Sequence, residues 1–274
     1  MRQHFGITFF GFWIPLALPG LVACSEPTVV LGSNGVPPSC ALAPIIPPVS
    51  LGLNDFYQKY LDGNGIPIVS SVNVSDLAVR QACVVTSHLT RKRDDVRRSM
   101  ISKNLRVAVI GVSEVTLDIP EYSDLPPDPT RNWNQERGEG ATDVRPVCSA
   151  GEENLLCLSD DPYAGAAILV DTLAYAIQDF GLSIVVPNFD ARLNAAYQAA
   201  TSAGLWQHTM AAQNTSFYFA EGVMDWYDAS QQADPADGVY NFVSTRAELE
   251  AYDPTLAAII AEQFVIDDWR PRCP

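Results

Sequence analysis

One stretch decides the fold class that this sequence predicts: residues 166–177, which read Ala-Ala-Ile-Leu-Val-Asp-Thr-Leu-Ala-Tyr-Ala-Ile. Apolar side chains fill most of its positions, which is typical of an α-helix buried inside a domain. Polar groups interrupt the run at Asp171, Thr172 and Tyr175. Because Asp171 and Tyr175 are four residues apart, they lie on one face of the predicted helix. These three positions are the helix's candidate site residues.

The bulk composition bounds the class of protein. The chain has 274 residues, enough for one large domain or two small ones, and it can bury a full core. Its formal net charge at pH 7 is −15, and this excess of negative charge repels phosphate backbones. We therefore exclude nucleic acid as a partner. The same charge argues against electrostatic docking onto anionic membranes.

The first residues, 1–24, have the pattern of a signal peptide. Arg2 gives a weakly positive start, an apolar run covers residues 5–22, and small residues close it. The run approaches the roughly 18 to 20 residues that span a bilayer, so a retained anchor is one alternative. Residues 21–24 also resemble a bacterial lipobox, in which Cys24 would carry a lipid. We expect a secreted, extracellular protein without stable membrane insertion after leader removal, and lipid anchoring through Cys24 as the alternative.

The cysteines point to an oxidising compartment. Six occur, at positions 24, 40, 83, 148, 157 and 273, and none forms a Cys-x-x-Cys pair. Together with a secretory leader, this pattern predicts disulfide bonds rather than a zinc knuckle. Cys148 and Cys157 flank a short segment and form the most plausible local bridge. Cys273 could tie down the C-terminus, and the remaining connectivity stays open.

The rest of the chain predicts one α+β domain. Residues 25–50 are rich in proline, which indicates a linker or extended arm before a domain over residues 51–274. The clearest buried strand covers residues 105–111. Residues 120–150 read as a long loop and residues 151–157 as an extended segment. Helices are predicted over 53–61, 75–91, 94–103, 163–180, 190–203, 215–230 and 245–264, the last broken at Pro254. The sequence thus predicts a small sheet and a helix-rich C-terminal half.

Several strings together carry a resemblance to a known family. They are Phe-Tyr-Gln-Lys-Tyr-Leu-Asp (56–62) with Gly-Ile-Pro (65–67), Arg-Val-Ala-Val (106–109), Glu-Val-Thr-Leu-Asp-Ile-Pro-Glu-Tyr (114–122), Gly-Glu-Glu-Asn-Leu-Leu-Cys (151–157), Gly-Leu-Trp (204–206), Tyr-Phe-Ala-Glu-Gly (218–222) and Thr-Arg-Ala-Glu-Leu (245–249). In this order and spacing the chain resembles secreted zincin-like proteins related in fold to the catalytic domain of anthrax lethal factor. The resemblance implies a zincin-like metallopeptidase domain over residues 51–274.

The resemblance also locates the former active site. In family members with intact sites, the helix after the Glu-Glu-Asn-Leu-Leu-Cys string looks like Ile-Leu-x-His-Glu-x-Ala-His. Its two histidines bind one zinc ion, and the glutamate polarises the zinc-bound water. Here Asp171 replaces the first histidine, Thr172 the glutamate and Tyr175 the second histidine, while Glu221 stands where a third ligand is expected.

These replacements predict a loss of zinc chemistry. Aspartate can bind zinc, but tyrosine rarely does, and threonine cannot serve as a general base near neutral pH. We therefore predict no bound metal or other cofactor and no catalytic residue, so that Asp171, Thr172, Tyr175 and Glu221 mark a remnant site.

Three functional hypotheses follow. The leading one is a secreted pseudoenzyme that binds a polypeptide or another ligand in the old cleft. The second is an active hydrolase that uses altered metal ligation or a carboxylate pair, Asp171 and Glu221. The third is an extracellular structural or interaction protein, which a cleft filled by Tyr175 would favour. The sequence predicts no oligomeric state.

Four other side chains bear on these hypotheses. We expect His88 to pack or face solvent, and His208 to lie near the cleft by the order of the elements. Asp225 and Asp228 follow Glu221 on the same predicted helix, and we expect both to be exposed.

Overall fold

The computed structural model describes residues 37–271. They form an α+β structure with a small four-stranded sheet and a helix-rich C-terminal half, as predicted. The strands are β1 Lys59–Gly63, β2 Ile66–Ser70, β3 Arg106–Ile110 and β4 Val147–Gly151. The helices are α1 Asp76–Thr90, α2 Asp94–Ser102, α3 Glu152–Leu156, α4 Ile168–Ile177, α5 Ser183–Val185, α6 Phe189–Ser202, α7 Thr215–Trp226, α8 Arg246–Tyr252 and α9 Pro254–Gln263.

The sheet is mixed, with the strand order β1-β2-β3-β4. β1 pairs with β2 antiparallel, whereas β2, β3 and β4 run parallel. Asn64 and Gly65 join β1 to β2 with φ of 63° and 90°, the geometry that a two-residue hairpin turn requires. The helix predicted over residues 53–61 is therefore wrong. The Asn64-Gly65 pair after this segment closes a hairpin instead.

The helix α1 begins where the sequence predicts. The side chain of Ser75 accepts a hydrogen bond from the backbone N–H of Leu77 at 3.1 Å, which satisfies one of the free donors at a helix start. The buried face includes Val79, Cys83 and Leu89, which pack in the main core. The prediction for residues 94–103 also holds, because α2 covers nearly the same span.

The segment predicted as extended over residues 151–157 is a short helix, α3. The strand lies just before it, as β4, whose five residues are all buried. The side chains of Glu152, Glu153 and Asn154 hold α3 in place. All three are buried, and they form hydrogen bonds with segments that are distant in sequence. A local reading of the sequence does not reveal such long-range hydrogen bonds.

The C-terminal half is built around α4. Most of its side chains are buried, and the chain continues through a π-helical turn, Gln178–Leu182, into α5. Among the described residues, the span Ile168–Val185 is long and apolar enough to cross a membrane, with a mean hydropathy of 1.4, but 61% of it is buried in the protein. Packing inside the domain therefore explains its apolar character. As predicted, Pro254 starts a separate helix, α9, directly after α8.

The proline-rich arm is fastened to the domain in its described part. Cys40 forms a disulfide bond with Cys83 of α1. Ile45 exchanges two backbone hydrogen bonds with Tyr60 of β1, at 3.0 and 2.7 Å. The predicted leader over residues 1–24, with Cys24, lies outside the described residues.

The predicted bridge between Cys148 and Cys157 is wrong. Cys148 is a free thiol buried in β4, and burial raises its pKa to about 12. Cys157 takes part in a disulfide bond. A bridge chosen by short sequence separation fails here because β4 holds Cys148 inside the sheet. Cys273 lies outside the described residues.

Candidate functional site

The site predicted from the sequence lies between α4 and α7. The backbone N–H of Ala167 donates to the carbonyl of Ala229 at 2.8 Å, which joins the start of α4 to the chain just after α7. The two helices therefore run antiparallel beside each other. In this register Asp171 and Tyr175 on α4 come close to Glu221 on α7, and their charges interact.

Asp171 occupies an apolar environment. Burial raises the pKa of its carboxyl to about 7, and a hydrogen bond from the Tyr175 hydroxyl only partly opposes this rise. The hydrogen bond follows from the helix geometry, because residues four apart are neighbours on one face. At neutral pH this group is therefore protonated about as often as it is ionised.

The pKa of Glu221 is raised further than that of Asp171. Burial raises the pKa of its carboxyl to about 8, the Ser230 hydroxyl lowers it by donating a hydrogen bond at 2.5 Å, and the charge of Asp171 raises it. Two carboxyls that face each other in a low-dielectric environment resist ionising together. At neutral pH the pair therefore holds at least one proton most of the time.

Two tyrosines close the space around these carboxyls. Tyr175 packs edge-to-face on Phe217, with ring centroids 6.1 Å apart. On its other side it contacts the backbone at Gly140, where an added Cβ atom would lie 3.4 Å from the ring. Burial raises the pKa of Tyr240, and the nearby charges of Glu221 and Asp171 raise it further. The hydroxyl-bearing rings thus occupy space next to both carboxyls.

Thr172 does not join the other site residues. It is buried, and its hydroxyl donates to the carbonyl of Ser149 in β4 at 3.2 Å. The structure therefore brings Asp171, Tyr175 and Glu221 together, and directs Thr172 toward the sheet.

The segment Arg137–Ala141, here called the edge segment, borders the sheet beside α4. The carbonyl of Glu139 accepts from the N–H of Ser149 at 2.9 Å, and the N–H of Glu139 donates to the Ser149 hydroxyl at 3.1 Å. A Cβ atom added at Gly138 would lie 2.4 Å from the Ile168 side chain, which is an overlap. Glycine therefore lets the edge segment approach α4 closely.

A buried ionic network joins the segments around the site, and the sequence did not predict it. Arg137 is 9% exposed and binds Glu153 with two nitrogens, at 2.5 and 2.7 Å. It also donates to the carbonyls of Gly111 and Glu114, at 2.9 and 2.6 Å. The network ties the edge segment to α3 and to the loop after β3. The sequence offers one signal for this network: the adjacent glutamates 152 and 153 lie close to the apolar pair Leu155 and Leu156. Glutamates in a buried segment need a partner, because charged side chains are rarely buried unless they are paired.

Glu152 and Asn154 extend this network. Glu152 accepts hydrogen bonds from the N–H groups of Ser75, at 2.8 Å, and Val112, at 3.3 Å. Asn154 accepts from the N–H of Ile168 at 2.9 Å, and it donates to the carbonyl of Ala166 at 2.7 Å. The α3 side chains thus position the starts of both α1 and α4.

The expectation that Asp225 is exposed is wrong. Its side chain is fully buried, and neither carboxyl oxygen has a hydrogen-bond partner among the described residues. Burial raises its pKa well above the usual range, and the negative charges of Glu221, Glu248 and Asp228 raise it further. Asp228 is exposed, as predicted.

The two histidines lie away from this cluster. His88 is buried and stacks on Trp269, with ring centroids 3.8 Å apart. Of the two expectations for His88, packing and solvent exposure, the structure therefore shows packing. Its Nε2 atom is 3.5 Å from Asp267. His208 is exposed and has a positive φ of 59°. Neither histidine contributes to the electrostatics of Asp171 or Glu221.

The donors gathered at this place do not fit zinc. Zinc sites in proteins use three or four nitrogen, sulfur or carboxylate ligands, usually with histidine or cysteine among them. Asp171, Tyr175 and Glu221 supply two partly protonated carboxyls and a phenol. Within residues 37–271, no three His, Cys, Asp or Glu side chains form a group that could hold a metal ion. No chemical step is therefore assigned to a metal.

Comparison with known proteins gives only a distant structural likeness. No protein-family model matches the chain, and no curated protein matches it. Among solved structures, the chain is similar to the Pro-Pro endopeptidase PPEP-2 from Paenibacillus alvei. The TM-score is 0.45 and the identity 13%, over 67% of this chain and 91% of that one. The likeness is too distant to assign an activity, so the chain has a distant peptidase among its structural neighbours and no demonstrated family.

Proposed function

We propose that this protein is a secreted, non-catalytic relative of zinc metallopeptidases, with a zincin-like domain over residues 51–274, that binds a polypeptide along the old cleft. The observation that carries the proposal is the chemistry of Asp171, Tyr175 and Glu221. By the resemblance they stand at the positions at which intact family members hold zinc, and their raised pKa values of about 7 and about 8 keep the two carboxyls partly protonated at neutral pH. A protonated carboxyl is a poor metal ligand, because ligands must give up their protons to bind.

The edge segment supports a polypeptide as the ligand. It pairs with β4 on one side through Glu139 and borders α4 through Gly138 and Gly140. Extended peptides commonly bind proteins by adding a strand to the edge of a sheet. The buried pair of Arg137 and Glu153 keeps the edge segment in place without a ligand. A peptide would therefore meet a preformed edge.

A second candidate rests on the raised pKa values of the two carboxyls. An acid with a pKa near 7 or 8 can exchange a proton at neutral pH, as general acid–base hydrolysis requires. The ring of Tyr175 lies next to both carboxyls and occupies the space that a reacting bond would need, which favours a non-catalytic protein. By the same criterion it favours the structural or interaction protein of our third hypothesis over a ligand held between these carboxyls. The two candidates differ in whether an Asp171→Asn variant loses an activity.

The metal content of the purified protein tests the proposal. We expect less than 0.1 zinc per chain, on the order of trace occupancy, after dialysis against a mild chelator. We expect the triple variant D171H/T172E/Y175H to bind about one zinc ion, because two histidines four apart on a helix and Glu221 would supply three ligands and water the fourth. The matched control adds E221A to the triple variant, which should then lose most of that zinc.

Two results would reject the proposal, and a third would reject the ligand position that it gives to Glu221. Stoichiometric zinc in the unmodified protein would require an active metal site that the described residues do not form. Peptide hydrolysis that is lost in D171N but kept in T172A would establish the carboxylate pair as a catalyst. A folded triple variant that binds no zinc would show that Glu221 no longer lies in ligand position.

A further inference from the structure

A second concave site lies on another side of α4. It is a cleft of about 540 Å³ between α1, α3, the start of α4 and the chain after α7. This volume falls within the roughly 300–1,000 Å³ that is usual for small-molecule sites. Asp171, Tyr175 and Glu221 are not among the residues that line it. The cleft is therefore distinct from the remnant site.

The floor of this cleft is apolar. Val85, Leu155, Leu169 and Val170 line it, and each is buried in the core. These side chains belong to three different helices that pack on one another, so the floor is rigid. A rigid apolar floor favours the hydrocarbon part of a ligand, since burying apolar surface drives binding.

The polar groups that line the cleft are negative or neutral. Asp161 and Asp228 contribute carboxylates, and no described residue of the lining is a lysine, arginine or histidine. Asp228 already forms an ion pair with Arg270. Asp161 accepts hydrogen bonds from the N–H of Tyr163 and the side-chain amide of Asn154, both at 2.9 Å, and within residues 37–271 it forms no ion pair.

We propose that this cleft binds a small amphipathic cation, with its hydrocarbon chain on the apolar floor and its ammonium group at Asp161. The two hydrogen bonds fix the orientation of the Asp161 carboxylate and leave its charge without a counter-ion among residues 37–271. Charged ammonium groups bind best to such a preoriented carboxylate. The net charge of −15 supports the same sign of ligand, because it attracts cations to the whole surface. The proposal does not depend on the proposed function.

Titration calorimetry with three ten-carbon probes on the purified full-length protein tests this inference. The probes are decylammonium, decanol and decanoate, used below micelle formation at pH 6.5. We expect decylammonium to bind at least about tenfold more tightly than decanol, and decanoate to bind most weakly, because only the ammonium pairs with Asp161. The substitution D161N should reduce decylammonium affinity about tenfold. D160N, which changes an exposed neighbour outside the lining, should leave it unchanged.

A second variant tests whether the probes occupy the cleft, without altering the core. Ala164 is exposed and lines the cleft, so A164W should fill it and abolish binding of all three probes. A191W, at an exposed position of α6, is the matched control and should bind as the unmodified protein does. Equal affinities for the three probes would overturn the role of Asp161. Absence of binding, or binding that A164W leaves intact, would overturn the site itself.

Discussion

At the scale of single residues, Asp225 is the group whose environment departs most from solution. It is fully buried, and neither of its carboxyl oxygens has a hydrogen-bond partner among the described residues. The charged groups that raise its pKa, Glu221, Glu248 and Asp228, are all negative. A buried carboxylate without a partner is costly, so the group keeps its proton in the folded state.

Replacing Asp225 by asparagine should therefore stabilise the protein at neutral pH. The amide is close in shape to the protonated acid and needs no proton from solution. We expect D225N to raise the free energy of unfolding by on the order of 2 kcal/mol at pH 7, and to change little at pH 4, where the unfolded chain is also protonated. Denaturant unfolding at the two pH values measures this difference. The control D55N, at an exposed position, should change neither, and a D225N variant that is destabilised at pH 7 would mean that Asp225 is ionised.

At the scale of elements, the buried pair of Arg137 and Glu153 fixes how the pieces around the site join. It links the edge segment, α3 and the loop after β3, whereas each of these pieces has little regular structure of its own. Removing one partner of a buried ion pair leaves the other charge unpaired, which costs about 3–5 kcal/mol. We expect R137M to lower the free energy of unfolding by about this amount, measured by urea denaturation.

Arg131 provides the matched control for that substitution. Its side chain is 37% exposed, and it pairs with Glu136 and Glu139, whose side chains are 27% and 15% exposed. Solvent screens these pairs more than it screens the pair of Arg137 and Glu153, so R131M should change stability less than R137M. Equal losses in the two variants would show that the contacts of Arg137 are not specially important. Partial recovery in R137M/E153M would identify the unpaired Glu153 as the cause.

The elements that the sequence predicted are those whose causes are local. The Ser75 cap sets the start of α1, the apolar run predicts β3, and Pro254 marks the start of α9. The missed elements depend on distant partners or on a turn. The Asn64-Gly65 turn required a hairpin where a helix was predicted, and α3 is held by loops far away in sequence. For the site, helix spacing predicted that Asp171 and Tyr175 share a face, but burial of Asp225 and the direction of Thr172 depend on packing.

At the scale of the whole molecule, buried acids set how stability depends on pH. The pKa values of Asp171 and Glu221 are raised to about 7 and about 8 by burial, and that of Asp225 is raised well above its usual range. A raised pKa means that the folded state binds a proton that the unfolded chain releases near pH 4. Each such group therefore stabilises the fold at pH 4 relative to pH 7. His88 opposes them, because burial lowers its pKa to about 4 and folding keeps it neutral between pH 4 and 6.5.

The balance of these groups predicts the greatest stability in mild acid. Between pH 4 and 6.5, three acids lower the free energy of unfolding as pH rises, whereas His88 raises it. In this range the folded state therefore binds a net two protons more than the unfolded chain. That corresponds to at most about 2.7 kcal/mol per pH unit, reduced by residual hydration. We expect the thermal midpoint to fall steadily from about pH 4.5 to pH 7.5, and D171N/E221Q/D225N to flatten this fall. Below pH 4 the trend reverses, because Asp95, whose pKa is about 2, loses its hydrogen bond from Arg93 on protonation. A midpoint that rises between pH 4.5 and 7.5 would mean that the three carboxyls are ionised in the fold, and would remove the electrostatic basis for a non-catalytic site.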